Sequence, residues 1–278
     1  MRVYISADIE GVSGVATWDQ ARTDGPDHPR ARGCMTEDVN AAVAGAVEAG
    51  AREVLVRDAH GRARNILWEG LHPAARLISG WDPRIDMLLG LDGSFGLVML
   101  IGYHPGPSAT RGVLSHAFTG RIREMRLNGV VCNEATFAAV QAGVLGVPVG
   151  LVTGQAELWD EIRPVMPDCA FVATKQGLAY QAAILEPMPF VRANIHAAAR
   201  DVTAAAIAGR APAPVRPTSP LRLEVDLASV EAAEAIEGLD GIERTTANGC
   251  VLHAPDGPVF VSRFFLMLQI LYAVKDSA

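Results

Sequence analysis

Five residues in the first half of the chain share a ligand chemistry and a common place in the expected fold. Asp8 and Glu10 stand two apart at the end of an apolar run, residues 3–7, that reads as a buried parallel strand. A period of two puts both carboxylates on one face. His60 lies two residues beyond a second strand, 53–58, and His104 directly follows a third, 97–103. Glu134 ends the last strand of a hairpin. In open α/β sheets, ligands bind outside the carboxyl ends of the strands. Three carboxylates and two imidazoles are a donor set for zinc or a similar ion. One catalytic zinc takes about three protein ligands and a water. Five candidates suit two metals about 3.5–4 Å apart that share a carboxylate. Asp8, short and anchored by its strand, is the natural bridge.

His116 is not needed as a ligand; a histidine near a metal pair is a proton shuttle. Ser115 is a candidate nucleophile but lacks a GxSxG context. Asp58 is placed to orient His60. Lys175 reads as a solvated surface residue, and His28, His72, His196 and His253 as structural histidines.

The elements that must position these groups follow from pattern. Residues 11–33 form a polar loop rich in Gly, Pro and Asp, long enough to be functional. Thr36 is expected to cap a helix, with Glu37 and Asp38 in its first turn and Val39, Val43 and Val47 as its apolar stripe. Residues 77–78, 147–153 and 169–173 read as further strands. Residues 135–144 and 193–208 read as helices, and residues 122–132 as a hairpin turning at Asn128-Gly129. Strands alternating with helices predict an α/β fold, a largely parallel sheet flanked by helices. Residues 209–220 hold four prolines and read as a linker. Beyond it Leu221, Leu223, Val225 and Leu227 alternate with polar residues, the pattern of a half-buried strand. The expected division is a metal-binding catalytic domain, 1–210, and a smaller C-terminal α+β subdomain, 211–278.

Composition narrows the classes. The chain has 278 residues and a formal net charge of −7. Of its 24 basic residues only Lys175 and Lys275 are lysines, and they form no basic cluster, which argues against nucleic acid as a partner. The four cysteines, Cys34, Cys132, Cys169 and Cys250, form no CxxC pair and read as reduced thiols of a cytoplasmic protein. The acids at Asp8 and Glu10 cut the first apolar run too short for a signal peptide. Residues 259–274 are apolar but shorter than a membrane span, so no membrane partner is expected.

Taken together, the motifs resemble a known family. Ser6-Ala7-Asp8-Ile9-Glu10-Gly11-Val12-Ser13-Gly14, Arg57-Asp58-Ala59-His60, Gly102-Tyr103-His104, Ser115-His116 and Asn133-Glu134 are similar, in register, to the D-aminopeptidase family of dipeptide-transport operons. The match is dense over residues 1–155. The resemblance implies a binuclear zinc aminopeptidase acting on short peptides with an N-terminal D-residue, such as D-Ala-D-Ala. It places two zinc ions per chain on Asp8, Glu10, His60, His104 and Glu134, makes His116 the catalytic histidine, and implies a ring-shaped homodecamer. Pro105-Gly106-Pro107, Ala117 and Gln155 depart from the family pattern, and none of these positions is a proposed ligand. The rival readings are another metal-dependent amidohydrolase or phosphoesterase, including a phosphatase with nucleophilic Asp8 and Lys175 as partner, and a non-enzymatic metal-binding protein.

Overall fold

The computed structural model describes residues 1–82 and 86–274; Lys275 lies outside them. Short apolar runs alternate with helices over most of the chain. In order these are β1 (Arg2–Ala7), α1 (Trp18–Ala21), α2 (His28–Glu48), β2 (Glu53–Asp58), β3 (Ala75–Ile78) and β4 (Leu97–Tyr103). Then come β5 (Ile122–Leu127), β6 (Val130–Val131), α3 (Glu134–Val144), β7 (Val149–Gln155), α4 (Leu158–Ile162), β8 (Ala170–Ala179), β9 (Ala182–Leu185) and α5 (Met188–Ile207). The chain closes with β10 (Leu221–Leu227), α6 (Val230–Ile236), β11 (Ile242–Arg244), β12 (Gly249–Ala254) and α7 (Gly257–Ala273).

Among the described residues, seven strands form one sheet in the order β3-β2-β1-β4-β7-β8-β9. All its pairings are parallel except β8 with β9. The fold is therefore the expected largely parallel α/β sheet. Alternation along the strands divides its core. Val3, Ile5, Val54, Val56 and Met99 face one side, against Val39 and Val43 of α2 and Ile195 of α5. Tyr4, Val98, Leu100 and Val152 face the other, against Ala135 and Ala138 of α3 and Leu158 of α4. A strand buried on both faces must be apolar throughout.

A second, antiparallel sheet has the order β11-β12-β10-β5-β6. The hairpin turns at Asn128-Gly129 as expected, with positive φ at both residues. β5 pairs with β10, so this sheet draws strands from both sides of the proline-rich residues 209–220. Its core is aromatic. Phe137 of α3 is 1% exposed, and its ring lies 4.0–5.7 Å from those of Phe118, Phe260, Phe264 and Phe265. Phe137→Ala should lower stability by about 3–5 kcal/mol, read by chemical denaturation. A loss under about 1 kcal/mol would show that these layers are not packed through Phe137.

The start of the second helix differs from expectation. The second helix begins at His28, with Pro29 in its first turn, eight residues before Thr36. Proline at a helix start is preset for φ and lacks only an N–H that has no intrahelical partner. Thr36 lies inside the helix, donates to Arg32 O at 2.8 Å and accepts from Leu67 N at 2.9 Å.

Candidate metal centre

The first two ligand candidates stand just beyond β1, in the loop that follows it. That loop is clamped to β4: Asp8 N donates to Ile101 O at 2.8 Å and Gly11 N to Gly102 O at 2.7 Å. The approach requires glycine. Gly102 has φ of 76°, and a Cβ there would lie 2.3 Å from Asp8 O. His60 follows β2 and His104 follows β4, both at carboxyl ends of the parallel sheet.

Glu134 arrives differently from the strand end expected. It is the first residue of α3. Asn133 caps that helix, accepting from Thr136 N at 2.9 Å, while Thr136 Oγ1 accepts from Asn133 N at 2.8 Å. A helix N-terminus favours a carboxylate, and Glu134 Oε1 also accepts from Phe118 N at 2.6 Å.

These five residues converge. His60 Nδ1 lies 3.2 Å from Asp8 Oδ1 and 3.0 Å from Glu10 Oε2. His104 Nε2 lies 3.5 Å from Asp8 Oδ2 and 3.4 Å from Glu134 Oε1. Asp8 therefore turns one oxygen toward each histidine. Donor atoms of Asp8, Glu10 and His60 fall within 4.8 Å of one another, as do those of Asp8, His104 and Glu134, and those of Glu10, His104 and His116. His116 stacks on His104, rings 4.3 Å apart and 7° from parallel, with Nε2 3.8 Å from Glu134 Oε1.

The outer nitrogens set the tautomers. His60 Nε2 faces Ala21 O at 2.9 Å, His104 Nδ1 faces Pro105 O at 2.9 Å, and His116 Nδ1 faces Leu114 O at 2.8 Å. Each such N–H can only donate to a carbonyl, which turns the other nitrogen's lone pair inward, the arrangement that prepares imidazole to bind a metal. Asp58 does not touch the His60 ring. It accepts from Asn65 Nδ2 at 2.9 Å, and Asn65 Nδ2 donates to His60 O at 2.7 Å, so its hold on His60 is through the loop.

The cluster concentrates charge in a dry place. Burial and the Glu10 charge push the Asp8 carboxyl up to about 7. Burial would raise Glu10 and Glu134 too, but the imidazoles outweigh it: His60 first holds Glu10 well below the carboxylate range, and His104 lowers Glu134. Burial would lower His60 and His104, yet Glu10 raises His60 well above its usual value and Glu134 raises His104 to about 10. His116 is lowered by burial and by His104. Three buried carboxylates need compensating positive charge. Glu10 Oε1 and His104 Nε2 are buried with no hydrogen-bond partner among the described residues. Inward lone pairs, carboxylates and partnerless donor atoms together fit metal ions of the zinc type.

Sequence reasoning missed Lys175. It is 1% exposed on β8 and donates to Glu10 O and Val15 O, bracing the loop that carries Asp8 and Glu10. Its acceptors are backbone carbonyls more than 150 residues away, which leave no mark in sequence. The cluster opens into a cavity of about 400 Å³. Trp18, Arg62, Trp81, Phe118 and Tyr272 line its walls, and no motif pointed to them. Trp18 meets the His116 ring edge-on at 5.5 Å. His28 and His196 stand outside the cluster, facing Gln20 O and Glu48.

The model of a family described as D-aminopeptidase matches residues 1–264. A D-aminopeptidase of Bacillus subtilis (strain 168) is 35% identical over 182 residues, a stretch that spans 66% of each chain. Among solved structures, the Zn-dependent D-aminopeptidase DppA from Bacillus subtilis, described as a self-compartmentalizing protease, is similar at a TM-score of 0.91 and 29% identity. That likeness covers 99% of this chain and 100% of DppA.

Proposed function

This chain belongs to the D-aminopeptidase family, and from that premise we propose that it is a zinc-dependent aminopeptidase that hydrolyses short peptides with an N-terminal D-amino acid, of the D-Ala-D-Ala type. The observation that carries the reading is Asp8, with Oδ1 toward His60 and Oδ2 toward His104. A carboxylate so shared suits two zinc ions per chain, one with Glu10 and His60 and one with His104 and Glu134. The zinc dependence of DppA supports the choice of metal.

When bound, such ions supply Lewis-acid polarisation of the scissile carbonyl and activation of water. The chain's own residues do the rest. His116, its Nδ1 occupied by Leu114 O, keeps Nε2 at the cavity wall, where it can carry a proton to the leaving amine. Trp18, against its ring, limits access of water to it.

Further parts of the reading are a ring-shaped homodecamer and a cytoplasmic location. The description of DppA as self-compartmentalizing supports an assembly, and Leu178, Tyr180, Ile184 and Phe190 offer exposed apolar surface for one. Four buried cysteines without disulfides suit a reducing compartment. No helix among the described residues is long and apolar enough to cross a membrane. The rival phosphatase mechanism loses its cation, because Lys175 is buried and committed to two carbonyls.

Elemental analysis of chelator-free protein, with a D-Ala-D-Ala hydrolysis assay, tests the proposal. The expected result is about two zinc per chain, loss of hydrolysis on chelation and recovery with added zinc. Failure to bind metal after zinc is added back would remove the binuclear site. Bound metal without hydrolysis of D-residue peptides would redirect the search to other amides and esters.

A further inference from the structure

We infer that Arg62 receives the free carboxylate of the substrate, so that the enzyme selects peptides short enough to end inside the cavity, dipeptides above all. This deepens the proposed peptidase reading and rests on it.

Arg62 lies two residues beyond His60, in the wall of the same cavity. Among the described residues lining that cavity it is the sole lysine or arginine. Its guanidinium sits 4.9 Å over the Trp81 ring, and Trp81 meets Tyr272 edge-on at 6.1 Å. A cation resting on an indole face is held in place yet keeps its N–H groups available. The side chain is exposed.

Asp8, Glu10 and Glu134 are committed to the proposed zinc ions, which leaves Arg62 as the permanent charge of the described lining outside the metal centre. A planar guanidinium suits bidentate carboxylate recognition. Arg62 stands in a turn closed by Ala63 N on His60 O at 2.8 Å, which keeps it beside the ligand candidate His60. The cavity, about 400 Å³, lies near the small end of ligand pockets, ~300–1,000 Å³.

The test compares D-alanyl-D-alanine with its C-terminal amide on zinc-loaded wild-type, Arg62→Leu and Arg62→Lys proteins, with metal content measured for each. Wild type is expected to favour the acid, chiefly through KM. Arg62→Leu is expected to raise KM for the acid about 10–100-fold, with a far smaller change for the amide, and so to erase the preference. Arg62→Lys should restore part of it, as a point charge without the planar fork. An acid-to-amide preference that survives Arg62→Leu overturns the assignment, as does an equal loss on both substrates. Hydrolysis of neither substrate by wild type overturns the peptidase reading itself, and the inference falls with it.

Discussion

Replacing His116 by alanine is expected to lower kcat about 10²–10⁴-fold, the usual worth of a positioned general acid–base group, while the zinc content stays at the wild-type level. The expectation comes from where each nitrogen points. Nδ1 is engaged with Leu114 O, and Nε2 borders the cavity 3.8 Å from Glu134. The backbone holds that pose. Leu114 and Phe118 have φ of 52° and 57°, and such left-handed conformations in bulky residues persist only where the surroundings impose them. His116 takes no part in either of the two donor groups that meet at Asp8. Stopped-turnover kinetics beside elemental analysis decides the matter. Loss of metal in His116→Ala would make His116 a ligand and remove its assignment as the proton carrier.

Asp8→Asn should have the larger effect, because Asp8 belongs to both groups. Asparagine keeps the shape and still offers Oδ1 to Ile9 N, a contact of 2.9 Å. It lacks the charge and the second carboxylate oxygen that now faces His104. Zinc is expected to be lost from both positions, and with it several kcal/mol of transition-state stabilisation, at least about 10³-fold in rate. Glu134→Gln, which alters one group only, should retain about half the metal. The measurement is zinc per chain for the two variants, with circular dichroism to confirm the fold. Equal metal loss in both, or full metal in Asp8→Asn, would contradict a shared carboxylate.

The positions of Asp8, His60 and His104 were legible in sequence for a local reason. An apolar run closed by polar residues marks a buried strand, and a parallel sheet collects the carboxyl ends of its strands on one edge. Three of the five ligand candidates, and the sheet that carries them, follow from that logic. The Asn128-Gly129 turn is equally local, since its positive φ values select those residue types. Glu134 was legible as a residue but not in its setting. Whether Asn133-Glu134 continues a strand or opens a helix depends on capping by Thr136, which competes with strand pairing over the same few residues. The start of α2 at His28 is a similar case: Thr36 has the type of a cap, but Leu67 N from another segment takes its hydroxyl.

What only the tertiary structure decided are contacts made to backbone or across long separations. Lys175 is buried because Glu10 O and Val15 O accept from it, and carbonyls carry no sequence identity. The tautomers of His60, His104 and His116 depend on carbonyls in the same way. Trp81 and Tyr272 meet across 191 positions to form the wall on which Arg62 rests. The sequence by itself thus determined which groups could hold metal and at which edge of the sheet. Packing alone decided which lone pairs face inward, which cation is sealed away, and which one is left to meet a substrate, because those outcomes are set by neighbours that periodicity does not encode.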